Sequence, residues 1–212
     1  MAEPLGSVTL IFYSLDPGWL LGTEPVLNVL AALAQRSTLT HVELAIGEGC
    51  GAHGQMTNVL RIFNGEHVEL AERTGTNPNF SYVQLACTKD AERRMLRWAQ
   101  EQVAKRVPFS QLGMLRSVLW PRKTHGESFF CAELVAACLR EGGMLSAHTN
   151  PGVATPAALY RLFHRASAAS GNPYIIRRVT YERERKQTAA SRQKTAHERE
   201  YYARFGAHTQ GF

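Results

Sequence analysis

The 212-residue sequence has only four cysteines, Cys50, Cys87, Cys131 and Cys138, irregularly spaced and with no Cys-x-x-Cys pair. That count and spacing exclude a disulfide framework of the kind that staples small secreted domains. On a shared helix Cys131 and Cys138 would stand roughly 10 Å apart, beyond the reach of a bridge. No segment approaches the roughly 20 consecutive apolar residues of a membrane-crossing helix. The start, Met1-Ala-Glu-Pro-Leu-Gly, lacks the basic stretch and apolar run of a secretory signal. A reduced, soluble, cytoplasmic chain is the expectation. With 9 prolines, 17 glycines and no internal repeat, collagenous, low-complexity and wholly disordered chains are excluded as well.

What is present suits a globular fold. Apolar residues make up 44% and charged residues 20%, enough for one core of ordinary size. Lys and Arg number 24 against 18 Asp and Glu, for a net charge of +6. That balance permits an acidic partner but identifies none, and nucleic acid is not expected on charge alone. Half of the excess lies beyond residue 180, where Arg183, Arg185, Lys186, Arg192, Lys194, Arg199 and Arg204 outnumber four glutamates and aliphatic residues nearly vanish. The expected division is a domain over residues 1–180 and a charged basic tail over 181–212. The tail is read as a solvated helix or disordered segment, with docking on a protein partner through Tyr201, Tyr202 and Phe205 as the alternative.

Val8 to Ser14 is an almost continuously apolar strand, closed by the turn residues Asp16-Pro17-Gly18. Thr23 and Pro25 open a helix with Val26, Leu27, Leu30, Leu33 and Ala34 at helical spacing. His41 to Gly47 and Thr57 to Phe63 then read as an antiparallel hairpin, followed by His67 to Arg73 and Phe80 to Cys87. Four runs at about ten-residue spacing suggest a meander or small barrel. Lys89 to Arg106 is helical, with Met95, Trp98, Ala99 and Gln102 on one stripe. A short helix over Leu112 to Trp120, one capped by Ser128 and running to Gly142-Gly143, and one opened by Thr155-Pro156 complete the chain. Strands first and helices after give an α+β class.

Ser128 as cap sets Cys131 in the first turn of an apolar helix, where free N–H groups and the helix dipole favour a thiolate. His41 opens a strand after a helix and can present an imidazole to that sulfur, the requirement of a thiolate–imidazolium pair. Cys138, two turns further, has no terminus to activate it and reads as core. Glu43, Glu69 and Glu72 alternate along strands and read as solvent-facing; Glu133 reads as an early-helix charge suited to the dipole. Cys50-x-x-His53 has half a zinc spacing and no second half. Gly47-Glu48-Gly49-Cys50-Gly51 lacks the order of a phosphate-binding loop. No metal or cofactor is called for. Trp98, Trp120, Phe129 and Phe130 read as core.

Thr40-His41-Val42-Glu43-Leu44-Ala45-Ile46-Gly47, Phe129-Phe130-Cys131-Ala132-Glu133-Leu134-Val135 with Gly142-Gly143, Asn150-Pro151, and Ala154-Thr155-Pro156-Ala157-Ala158-Leu159-Tyr160 together resemble the circularly permuted NlpC-type, papain-like superfamily over about residues 8 to 165. The resemblance implies a permuted papain-like fold, an antiparallel sheet or small barrel packed on a nucleophile-bearing helix, with the histidine strand before the cysteine helix. It implies Cys131 as nucleophile, His41 as general base, and a third polar residue on the strand after the histidine. With the hairpin turn centred at Cys50–Gly51, His41 lies near Leu60 and Asn58 falls on its face at a diagonal. A one-residue slip favours Gln55 instead. The implied function is a thiol-dependent hydrolase or acyltransferase acting on an amide, ester or thioester of a peptide, lipid or other acyl substrate. The alternative is a silent papain-like scaffold serving as a structural or interaction protein, virion-associated if the source is viral.

Overall fold

Strand β1 (Leu5–Ser14) buries Val8, Leu10 and Phe12 on one face and Ile11 on the other, so it needs cover on both sides. It holds the middle of an antiparallel six-stranded sheet in which β2 (Leu39–Ile46), β3 (Met56–Phe63), β4 (His67–Arg73), β5 (Phe80–Thr88) and β6 (Ile175–Val179) take the order β4-β3-β2-β1-β5-β6. The computed structural model describes residues 5–15, 29, 32–33, 36–47, 55–63, 65–73, 80–110, 126–168 and 175–179. The helix expected from Thr23, most of the loop around Cys50, the helix over Leu112 to Trp120 and the basic tail lie largely or wholly outside those residues. The chain divides into the units Met1–Val179 and Thr180–Phe212.

The β2–β3–β4 meander agrees with the sequence, but β5 leaves it. Instead of pairing with β4, β5 runs along the far edge of β1 in an unbroken ladder from Leu5↔Thr88 to Tyr13↔Phe80. The outer edge of β4 is taken by the segment after the helix that follows β5: Val68 N–H donates to Val107 O at 2.9 Å, and Phe109 N–H to Glu66 O at 2.7 Å. The outer edge of β4 therefore finds a partner without the sheet closing into a barrel through β5.

Helix α1 (Lys89–Ala104) starts where Thr88 Oγ1 accepts the Ala91 N–H at 3.1 Å, and its buried stripe is Ala91, Met95, Ala99 and Gln102. Helix α2 (Cys131–Glu141) buries every residue from Cys131 to Leu139, the mark of a central helix. Helix α3 (Pro156–Ala168) follows a short 3-10 turn, Pro151–Val153, and Thr155 Oγ1 caps it by accepting from Ala158 N–H at 3.1 Å. Val8, Leu10, Phe12, Val42, Leu44 and Ile46 of the sheet form one core with Met95 of α1 and Leu134, Val135, Cys138 and Leu139 of α2. Ile11, Ala45, Met56, Val59 and Phe80 form a second cluster. The α1–α2 crossing is tight at Gly142, where a Cβ would stand 2.7 Å from Met95 Cγ. Arg94 fixes that end of α2 by donating to Glu141 O at 3.2 Å and Gly142 O at 3.0 Å. The class is α+β, and among the described residues no helix is long and apolar enough to cross a membrane.

Candidate active site

Helix α2 begins two residues later than Ser128 capping would require. Phe130 is the N-cap, extended at φ −102 and ψ 168, and no side chain caps the helix. Cys131 is thus the first helical residue, nearer the unsatisfied N–H groups of the terminus than a capped start would place it. The backbone N–H groups of Val42 and Ala132 donate to its sulfur. The first donor is available because the β2–β3 ladder pairs Leu44 with Leu60 and Ala45 with Val59, leaving Val42 outside those pairs.

The His41 ring reaches the same sulfur as a hydrogen-bond partner. Its Nε2 lies 3.2 Å from Glu43 Oε1, so Nδ1 is the ring nitrogen left for Cys131. Residues two apart on a strand share a face, which is why Glu43 accompanies His41. The Glu43 side chain is only 3% exposed, contrary to its reading as a solvent-facing charge. A carboxylate is tolerated there because Arg73, from the end of β4, donates to both of its oxygens through Nε and Nη2. The Arg73 guanidinium is itself stacked 4.7 Å from the centre of the Phe80 ring. Sulfur, imidazole, carboxylate and guanidinium form one row of alternating partners.

The electrostatics follow from that row. Burial alone would depress His41, but the Cys131 thiolate, and then Glu43, outweigh it and raise the imidazole from 6.5 to about 10. Burial alone would raise Cys131, yet His41 and the two N–H groups bring the thiol below its ordinary value. Glu43, penalised by burial, is held down at about 2 by His41 and Arg73. The other described cysteines behave oppositely: burial pushes Cys87 up to about 11 and Cys138 higher still, the latter donating its S–H to Met95 O at 3.6 Å. Cys138 is core, as its sequence position implied.

No family model, curated protein or solved structure matches the chain.

The polar residues expected to orient His41 lie elsewhere. The Leu44↔Leu60 register is three residues off the one that set His41 beside Leu60. Asn58 sits at the irregularity between Met56 and Val59 with φ 52, a left-handed conformation that asparagine tolerates. Gln55 is exposed and donates to Glu72 Oε2 at 2.6 Å. Neither joins the row; Glu43 holds that place. Its signal was in the sequence, two residues after the histidine on an alternating strand, whereas Arg73 carried none. Glu69 is half-buried against Arg61 Nε at 2.6 Å, and Glu133 is fully buried in the first turn of α2. Among the described residues no group of three or more His, Cys, Asp or Glu is placed to hold a metal ion.

Beside the row lies a cavity of about 360 Å³ lined by Tyr13, His41, Glu43, Arg61, Ile62, Arg73 and Phe80. Cys131 is 5% exposed and the His41 side chain 32%, so the open side of the pair is the imidazole.

Proposed function

We propose that this chain is a thiol-dependent hydrolase or acyltransferase with Cys131 as nucleophile, His41 as general acid and base, and Glu43 rather than Asn58 as the residue that orients the imidazole. The single observation that carries this reading is the sulfur at an uncapped helix start, hydrogen-bonded to an imidazole whose far nitrogen meets a buried carboxylate. Structural cysteines have no need of such a partner, and among the described residues Cys138 and Cys87 have none. The order of the histidine strand before the cysteine helix supports assignment to a permuted papain-like fold.

The chemistry runs on the ion pair. The Cys131 thiolate attacks the acyl carbonyl carbon, forming a C–S bond while the carbonyl π pair moves onto oxygen. The Cys131 backbone N–H, free of an intrahelical acceptor, is placed to donate to that oxyanion. Collapse expels the amine or alcohol, which takes the proton from His41 Nδ1. The neutral ring then removes a proton from water, or from another acceptor, as it attacks the thioester. The returned sulfur and the ring proton restore the pair. Glu43 accepts from Nε2–H throughout, fixing the tautomer and stabilising the imidazolium.

The test is alkylation by iodoacetamide near pH 6, with the modified cysteine identified by mass spectrometry. Cys131 is expected to react at least tenfold faster than Cys87 and Cys138, and His41→Ala to remove that preference. Equal labelling of the cysteines in the native protein would refute the reading and leave a papain-like scaffold without thiol chemistry.

A further inference from the structure

Building on the thiol reading, we infer that the cavity beside His41 is a recognition site for a carboxylate on the acyl substrate, held by Arg61 and Arg73. Three observations converge on it. The sulfur itself is nearly closed off, so a substrate reaches it along the exposed edge of the imidazole, which is also a wall of this cavity. A group bound there borders the imidazole that partners the reacting sulfur.

The cavity wall is rich in donors and poor in acceptors. Its carboxylate, Glu43, is saturated by His41 and by two nitrogens of Arg73. A guanidinium carries five N–H donors in a fixed fork. Arg73 spends Nε and Nη2 on Glu43, and Arg61 donates to Glu69 through Nε, so among the described residues Arg73 Nη1 and the two Nη groups of Arg61 remain for an occupant. Both side chains are partly exposed, 24% for Arg73 and 27% for Arg61, as a binding surface requires. Planar two-oxygen acceptors suit such forks better than a neutral amide does. The remaining walls, Ile62 and the Phe80 ring, give apolar contact to a short stem but leave little room for a lipid chain amid two guanidinium groups and an imidazole. The structure therefore favours a short acidic acyl group over a fatty one.

Iodoacetate and iodoacetamide differ in a carboxylate against an amide, and the ratio of their rates at Cys131 reads the site directly. Arg61→Gln is expected to lower the iodoacetate to iodoacetamide ratio at least threefold. Glu69→Gln, which releases Arg61 from its resident carboxylate, is expected to raise it, an opposite sign that general misfolding does not produce. Glutarate at millimolar concentration is expected to slow the iodoacetate reaction in the native protein more than inorganic phosphate does. A ratio equal in native, Arg61→Gln and Glu69→Gln proteins, or protection by phosphate alone, would overturn the carboxylate site while leaving the thiol reading intact. Failure of Cys131 to react with either reagent would overturn both.

Discussion

Replacing Glu43 by Gln keeps the shape of the side chain and its hydrogen-bonding reach but removes its charge, which isolates what the carboxylate does for His41. The native imidazole holds its proton up to about pH 10, with the thiolate as the larger positive cause and Glu43 the next. A hydrogen bond to a charged group is worth about 1.5–3 kcal/mol, and each pKa unit corresponds to about 1.4 kcal/mol. Loss of the Glu43 charge should therefore bring the His41 midpoint down by about 1–2 units. It should not bring it to the free value, because the sulfur still faces Nδ1. The lower titration, in which the thiol loses its proton beside the imidazolium, should hold or fall slightly, since an anion has been removed from the neighbourhood. The range of pH over which the ion pair exists thus narrows from above. Histidine ring resonances followed by NMR from pH 4 to 11, with His41 assigned by its absence in His41→Ala, measure both midpoints. An unshifted His41 midpoint in a folded Glu43→Gln protein, or a native midpoint near 6.5, would refute the argument that the carboxylate holds the imidazolium.

Other consequences test different parts of the molecule. Glu43, at about 2 when folded against 4.5 when free, contributes roughly 3 kcal/mol of stability. That contribution is present above about pH 4.5 and is lost as pH falls through about 2; urea unfolding at pH 6 and pH 2.5 measures it, and Glu43→Gln should flatten the difference. Arg73→Met leaves the buried carboxylate with His41 alone, and an expected loss of about 2–4 kcal/mol should appear in the same assay, together with a raised Glu43 pKa. Gly142→Ala drives a methyl into Met95 Cγ and Sδ and should cost about 1–3 kcal/mol. The cost should shrink in a Met95→Ala background, because the two sites share one contact.

The comparison between sequence and structure turns on which interactions are local. Helix α1 was legible from its apolar stripe and α3 from its Thr155-Pro156 start, and Thr88 and Thr155 each act through a backbone group three residues away. Strands β1 to β5 were legible from alternation and turn residues, and Cys131 and His41 from their places at a helix start and a strand start. Partner choice was not. An apolar strand such as β5 is equally suited to the edge of β4 or of β1, and what decides is that Val107 to Phe109 occupy the former. Ser128 looked like a cap, yet the helix starts after Phe130 without one.

Glu43 shows the same limit within the site. Alternation placed it on the face of His41, and that alone would have made it the orienting residue. Its charge argued for solvent, because burying an unpaired carboxylate is prohibitive. What reverses the argument is Arg73, 30 residues later and on a strand that does not neighbour β2. The cost of burying an ion is set by partners that only the three-dimensional fold supplies. A glutamate two residues from a histidine on an otherwise buried strand is therefore better read as a question about a missing cation than as a surface charge. Here the answer is a guanidinium that also forms the wall where a substrate carboxylate would sit, so the group that keeps the imidazole charged is tied to the group that would read the substrate.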